Sequence, residues 1–258
     1  MNNKLKQLSE RDDIMKLGII GVGNIGSILS EKLYEAGHQV KVADARSIEH
    51  LEGKPYSGKA VEISEVIKDI DILIISIPIA AIPNIKPIIQ KVDDSVPIID
   101  TSNYYPARDK KITAIENGMT ESVWVSKQLD RNIVKAFNNL LAYTLKHKGK
   151  SEKTHGRVAA TVAGNSETQK NKVKNIINQL GFDYVDTGNL ENSWRQQPGT
   201  PAYCTELTEE ELKLALEQAD KDKAPKRRDK ILELAILNKD KILSHEERID
   251  LNRKIYNS

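Results

Sequence analysis

Gly21-Val22-Gly23-Asn24-Ile25-Gly26 carries three glycines at the spacing G-x-G-x-x-G. The run follows the apolar stretch 16–21 and opens a segment, 24–36, in which Ile25, Ile28, Leu29 and Leu33 recur at helical spacing. Between a strand and a helix this pattern predicts a dinucleotide cradle. Gly21 permits the tight turn, Gly23 lets the backbone approach a pyrophosphate, and Gly26 lets the helix lie close to the strand. Asn24 and Ile25 then sit at the helix N-terminus, whose free N–H groups and positive dipole end suit phosphate. Two residues further on bear on which dinucleotide is held. Asp44 lies where a carboxylate for the ribose 2′-hydroxyl belongs, which favours NAD. Arg46 offers a guanidinium for bidentate contact with a 2′-phosphate, which favours NADP.

The elements that must position these residues are legible from periodicity. Strands are expected at 16–21, 39–43, 71–78, 96–101, 133–137, 157–163 and 182–186, mostly as short runs of branched aliphatics. Helices are expected at 24–36, 63–68, 80–90 (entered around Pro83) and 167–180, with Gly37 and Gly181 as left-handed stops. Residues 45–60 read as irregular. From Thr208 onward the chain reads as helical, with Pro225 separating two helices and Ser244-His-Glu-Glu247 as a capping box that opens the last, through Tyr256. The dense apolar block Ile231, Leu232, Leu234, Ala235, Ile236, Leu237 predicts packing on the body of the protein or on a second copy, and a homodimer through these helices is one expectation. Alternation of strand and helix predicts an α/β fold with a parallel sheet. The organisation expected is an N-terminal extension (1–15), a dinucleotide-binding domain (16–138) and a small C-terminal α/β part ending in helices (139–258).

Ligands of open α/β sheets lie beyond the carboxyl ends of the strands. That rule selects Ile77, Pro78 and Ile79, then Thr101, Ser102 and Asn103, then Asn138. Pro78 and Ile79 would form an apolar shelf for a nicotinamide ring, and Ser102, Asn103 and Asn138 offer neutral hydrogen-bonding groups. Lys135 has two readings, a buried acid or base of the substrate pocket and a strand end that reaches solvent. The segment 193–203 is either a docked connection or a wall of the acceptor pocket, with Trp194 or Tyr203 against a planar ring and Arg195 facing an anionic group. No histidine sits at a strand end in a motif setting, and His147, His155 and His245 fall in polar surroundings. The sequence therefore shows no His-based relay for reducing a ketone, and no metal-ligand spacing. An acceptor that needs stacking and alignment more than a strong acid is favoured.

Composition narrows the class. The 258 residues hold 39 Lys and Arg against 37 Asp and Glu, a net charge of +2, which lacks the basic footprint of a nucleic-acid binder. One cysteine, Cys204, excludes an internal disulfide framework and a cysteine-based zinc cage. The longest uncharged apolar stretch, 72–85, is short and carries Pro78 and Pro83, so no membrane span is expected and the cytoplasm is the expected location. The thirteen acidic and twelve basic residues mixed between Glu206 and Ser258 predict solvated helix faces.

Several longer runs, taken together, carry a family resemblance. The glycine motif, Asp71-Ile-Leu-Ile-Ile-Ser-Ile-Pro-Ile-Ala-Ala-Ile-Pro83, Asp100-Thr-Ser-Asn-Tyr-Tyr-Pro-Ala-Arg-Asp109 and Val134-Lys-Ala-Phe-Asn138 resemble the NADPH-dependent F-420 reductase-like family of dinucleotide-binding oxidoreductases. Gly181-Phe-Asp-Tyr-Val-Asp186 and Ser193-Trp-Arg-Gln-Gln-Pro-Gly-Thr-Pro-Ala-Tyr-Cys204 are similar to its bacterial subgroup. The resemblance implies a Rossmann-type, doubly wound, mainly parallel sheet with a small α/β extension and C-terminal helices, and NADPH as hydride donor. Arg46 falls on the arginine that grips the 2′-phosphate in that family, whereas Asp44 replaces its usual neutral residue. The activity expected is hydride transfer between NADP(H) and a flavin or deazaflavin acceptor. A hydroxyacid-type dehydrogenase on the same cofactor fold and a non-catalytic dinucleotide sensor are the rival readings.

Overall fold

The computed structural model describes residues 14–237 and 243–256, with side chains described for 14–234 and 243–256. The expected N-terminal extension lies outside the described residues up to position 13, as do the side chains of Ala235, Ile236 and Leu237 in the apolar block.

Eight strands form one sheet: β1 (Lys16–Ile20), β2 (Gln39–Ala43), β3 (Lys59–Ala60), β4 (Ile72–Ile75), β5 (Ile98–Asp100), β6 (Val134–Ala136), β7 (Ala159–Gly164) and β8 (Asp183–Asp186). Their order is β3-β2-β1-β4-β5-β6-β7-β8. Every neighbouring pair is parallel except β6 and β7. This is a Rossmann-type doubly wound sheet, whose strand order reverses between β1 and β4. One sheet runs across residues 138–139, with β7 and β8 extending it.

The helices are α1 (Asn24–Glu35), α2 (Ile63–Val66), α3 (Lys86–Ile89), α4 (Pro106–Asp109), α5 (Thr113–Glu116), α6 (Glu121–Leu129), α7 (Ala142–His147), α8 (Glu167–Gln179), α9 (Glu209–Glu217), α10 (Ala224–Leu237) and α11 (His245–Tyr256). Side chains of a strand alternate between faces, so the sheet feeds two apolar layers. Leu17 and Ile19 of β1 and Ile72 and Ile74 of β4 meet Leu29, Leu33, Val173 and Ile177 on one face. Ile20, Leu73 and Ile75 meet Val66, Ile82, Ile89, Trp124 and Leu129 on the other. The nearly uninterrupted aliphatic run of β4 follows from burial on both sides.

Local chemistry explains most element ends. Gly37 adopts φ +93° after α1, and the N–H of His38 closes onto the Leu33 carbonyl at 3.1 Å. At the start of α11 Ser244 N donates to Glu247 Oε2 (2.8 Å) and Glu247 N to Ser244 Oγ (3.1 Å), both halves of the expected capping box. A second box, Thr208 with Glu211, opens α9. Two expectations need correction. Residues 45–60 are not wholly irregular, since they hold a 3-10 turn at Ile48–Leu51 and the edge strand β3. The helix expected at 80–90 is a 3-10 segment, Ile79–Ile85, followed by the single turn α3, because Pro83 cannot donate the backbone bond an α-helix needs there.

The C-terminal helices pack on the chain's own body. Ile231, Leu234, Leu251, Ile255 and Tyr256 form a cluster with Tyr105, Leu141, Tyr203 and Cys204. Among the described residues no helix is long and apolar enough to cross a membrane.

Glu121, at the first position of α6, is buried and accepts the Tyr104 N–H at 3.1 Å. Burial pushes its carboxyl from the ordinary 4.5 up to about 7, against the opposing pull of Lys135. The folded protein then holds a proton that the unfolded chain has released. This group's contribution to stability is full below about pH 4.5, falls on the order of 3 kcal/mol as pH rises to about 7, and is flat above. Glu121→Gln should flatten that stretch of the stability profile in urea titrations at stepped pH; an unchanged slope would show that Glu121 ionises normally.

Candidate active site

The glycine loop divides its tasks as the physics of close approach requires. A Cβ on Gly21, which sits at φ +96°, would lie 2.4 Å from the Ser76 carbonyl oxygen. One on Gly26 would lie 2.0 Å from the Gly21 carbonyl oxygen, so α1 is pressed against the end of β1. A Cβ on Gly23 would meet nothing within 4 Å. Gly23 faces open space at the N-terminus of α1, where the first backbone bond back into the loop is Ser27 N to Gly23 O at 2.9 Å. The first-turn N–H groups ahead of it are left for a ligand. This room, bounded by amide donors, fits a pyrophosphate.

At the end of β2, Asp44 does not point at an open ribose position. Its Oδ1 accepts from Arg46 N (3.0 Å) and Arg46 Nε (2.9 Å), and its Oδ2 from Arg46 Nη2 and Lys54 Nζ (both 3.1 Å). The hydrogen bonds from Arg46 hold the Asp44 carboxyl well below the usual carboxylate range. Two cations on one carboxylate leave this corner net positive. The Arg46 side chain remains 64% exposed, free to meet an incoming anion while its carboxylate anchor is almost buried. Lys54 escaped the sequence reading, because it lies in a stretch without periodicity and nothing local ties it to Asp44.

A cavity of about 450 Å³ opens beside the cradle, at the carboxyl edge of the sheet. Asn24 and Ile25 of α1, Thr101 and Asn103 after β5, Asn138 after β6, Tyr143 of α7, Tyr203, and His245 and Arg248 of α11 line it. Phe137, also in the lining, turns the chain after β6 with φ +62°, a conformation that a bulky residue adopts only where its surroundings impose it. Asn103 and Asn138 hold each other: Asn138 Nδ2 donates to Asn103 Oδ1 (3.0 Å) and to the Gln196 carbonyl (2.8 Å), while Gln196 Nε2 donates to Asn138 Oδ1 (2.9 Å). Tyr203 shares a hydrogen bond with Tyr105, oxygen to oxygen 2.8 Å. Burial pushes the Cys204 thiol up to about 12, so it lines the cavity as a neutral group, without thiolate chemistry.

Other candidate residues lie elsewhere. Ile77 and Ile79 turn into the core, and only Pro78 of that trio is exposed. Ser102 is buried with an unpartnered Oγ, next to cavity residues Thr101 and Asn103. Lys135 neither reaches solvent nor lines the cavity. It is fully buried, with Nζ 2.8 Å from Asp100 Oδ2 and bonded to the Ser102 carbonyl, so it braces the ends of β5 and β6. Trp194 and Arg195 are also absent from the lining. The guanidinium stacks on the indole 4.5 Å from its centroid and donates to the Leu216 carbonyl at the end of α9 (3.0 Å). His245, read in the sequence only as a histidine in polar surroundings, lines the cavity and pairs with Glu206. The capping box marks where its helix begins, but the partner is 39 residues away and only tertiary packing joins them.

Residues 16–104 match the family described as NADP oxidoreductase, coenzyme F420-dependent. Over 110 residues the chain is 34% identical to the Escherichia coli K12 protein YjhV, spanning 42% of this chain and 79% of that protein. The chain belongs to the coenzyme F420-dependent NADP oxidoreductase family. Membership places it among NADP oxidoreductases and accords with the cation corner at Arg46 and Lys54. The crystal structure of protein SMa0349 from Sinorhizobium meliloti is similar at 28% identity and a TM-score of 0.63, over 79% of this chain and 99% of that one. The "putative f420 dependent nadp-reductase" of Arthrobacter sp. FB24 shares the fold at 18% identity and a TM-score of 0.56, over 69% and 87% of the two chains.

Proposed function

We propose that this protein transfers hydride between NADP(H) and a flavin or deazaflavin acceptor bound in the cavity beside the glycine loop. The observation that carries the cofactor half is the pair of cations fixed on Asp44. The loop 21–26 and the N-terminus of α1 would hold the pyrophosphate, and Arg46 with Lys54 the 2′-phosphate. The cofactor supplies the hydride chemistry when bound; the chain binds, orients and shields it. The acceptor half rests on the cavity lining, where Tyr143 and Tyr203 offer aromatic surface and the locked pair Asn103–Asn138 gives a rigid polar edge. Such a wall suits a planar ring with hydrogen-bonding edges.

NADPH oxidation measured with FMN, a 5-deazaflavin, ferric chelates and small hydroxy acids (the last run in reverse with NADP+) tests the acceptor. Reduction of the flavin or deazaflavin is expected. Turnover only with hydroxy acids would replace this reading by a dehydrogenase, and tight NADPH binding without turnover by a sensor. On the cofactor side, Arg46→Ala should weaken NADPH roughly ten- to a hundredfold while changing NADH by less than about threefold, since only NADPH carries the anion that the guanidinium meets. Lys54→Ala should move affinity the same way by a smaller factor. Calorimetric titration of both variants with both cofactors decides it; equal losses for NADH and NADPH would remove the 2′-phosphate from this corner.

A further inference from the structure

His245 and Glu206 form an imidazole–carboxylate pair in the wall of the cavity. His245 Nε2 lies 2.6 Å from Glu206 Oε1, and the same oxygen accepts from Thr144 Oγ1 at 2.6 Å. The two side chains are only 6% and 16% exposed. Tyr143 stacks on the imidazole with ring centroids 4.3 Å apart and planes 27° apart. The pair is built by three parts of the chain. α7 supplies Thr144 and Tyr143, α11 supplies His245, and the segment before α9 supplies Glu206. That segment is held in an unusual path, with Cys204 at φ +56° and Glu206 at φ +50°. α11 clamps it through Asn252 Nδ2 to the Cys204 carbonyl, Arg253 Nε to the Thr205 carbonyl and Arg253 Nη2 to the Glu206 carbonyl, each 2.9 Å. So much construction around one imidazole fixes its ring plane and commits Nε2 to the carboxylate. No described residue bonds Nδ1. A histidine held on one nitrogen by a carboxylate, with no described residue bonding the other, at a ligand cavity, has the geometry of a general acid and base.

We propose that His245 delivers the proton that accompanies hydride transfer, with Glu206 and Thr144 as positioning residues. The proposal rests on the hydride-transfer reading above and adds a role to a residue of the same cavity. In the step, His245 gives its Nδ1 proton to a ring nitrogen of the flavin or deazaflavin, while NADPH furnishes one hydrogen with two electrons to the ring's electrophilic atom. The acceptor gains two bonds to hydrogen, NADPH leaves as NADP+, and the neutral imidazole takes a proton back from water. Charge is conserved, with one solvent proton consumed per turnover.

The groups that share this neighbourhood are Glu206; Tyr143 and His147 from α7 and Lys148 just after it; and Glu246, Arg248 and Arg253 from α11. Lys148 is 3.9 Å from Glu246, and the His147 ring is 4.6 Å from that of Tyr143. Of these, Tyr143 and Arg248 share the cavity lining with His245.

His245→Gln is the discriminating variant, because glutamine can still bond Glu206 but has no proton to give. Single-turnover reduction of FMN and of a 5-deazaflavin by NADPH is followed across pH, NADPH affinity is measured separately by fluorescence, and the His245 ring is titrated by NMR in the cofactor-free protein. In the wild type the rate should fall with rising pH at the midpoint where NMR shows that ring losing its proton. His245→Gln should be about a hundredfold slower with a flat profile, at NADPH affinity within about twofold. Glu206→Gln should lie between the two. A His245→Gln rate within about threefold of wild type, or a rate midpoint more than about one pH unit from the NMR midpoint, overturns the role of His245 alone. Failure of the wild type to reduce either acceptor while it binds NADPH overturns the acceptor reading and this step together.

Discussion

Gly26→Ala should leave the protein barely folded, while Gly23→Val should leave it fully folded and unable to hold a dinucleotide. The two glycines stand three residues apart in one motif, yet their surroundings are opposite. A methyl group on Gly26 would have to occupy a point 2.0 Å from the Gly21 carbonyl oxygen, and that oxygen belongs to backbone tied to the end of β2 by Gly21 N to Ala43 O at 2.8 Å. No rotamer change relieves such a contact, so α1 must lift from the sheet and loosen Leu29 and Leu33 from the core. The cost should reach about 3 kcal/mol or more, the upper end for overpacked sites and a large part of the total for a domain. At Gly23 the added side chain enters empty space, so the folded protein barely notices it and only a ligand pressed to the loop would. Urea denaturation and NADPH titration on the two variants give the crossed result. Retained NADPH affinity in Gly23→Val would mean that the loop holds no pyrophosphate.

Lys135→Met should be the second most damaging change, at about 3–5 kcal/mol, although Lys135 does not line the cavity. Its ammonium and the Asp100 carboxylate are both fully inaccessible, and their bond is 2.8 Å. Truncating the cation strands a carboxylate whose remaining partner is the Ser102 N–H, at 2.9 Å. It also removes the positive charge that restrains the upward shift of the Glu121 carboxyl. The double variant Asp100→Leu/Lys135→Met should recover much of the loss, since replacing both charges avoids an uncompensated one. If the double variant is as unstable as the single one, the pair does more than neutralise itself. The expected partial rescue would identify Lys135 as a brace for the strand ends that carry Ser102, Asn103 and Asn138.

The parts legible in the sequence are those governed by neighbours in the chain. The strand–glycine–helix unit at 16–36 and α8 with its glycine stop follow from local periodicity and turn chemistry, and the expected strand boundaries agree within two residues except at β4, which ends at Ile75 rather than 78. No element is expected from periodicity at 104–131: α4 and α5 are single turns of four residues, too short for a 3.6-residue pattern to register, and only α6, with nine, is long enough to carry one. The site divides in the same way. Gly21, Gly23 and Gly26 announce themselves by spacing. Lys54 joins Asp44 from across an irregular loop, and His245 meets Glu206 only because α11 docks on the segment 204–206. Lys135 was misjudged in the solvent reading for a related reason: its strand position was clear, but the buried Asp100 that neutralises it comes from the neighbouring strand.

The cavity draws its lining both from Asn24 and Ile25 and from His245 and Arg248. During synthesis these two contributions are separated by more than two hundred residues, which at roughly 5–20 residues per second is roughly ten to forty seconds of translation. All eight strands are encoded by Asp186. A ribosome that stops between that point and Ser244 therefore releases a chain with every strand of the sheet and the whole glycine loop, but without the His245 and Arg248 that line its pocket.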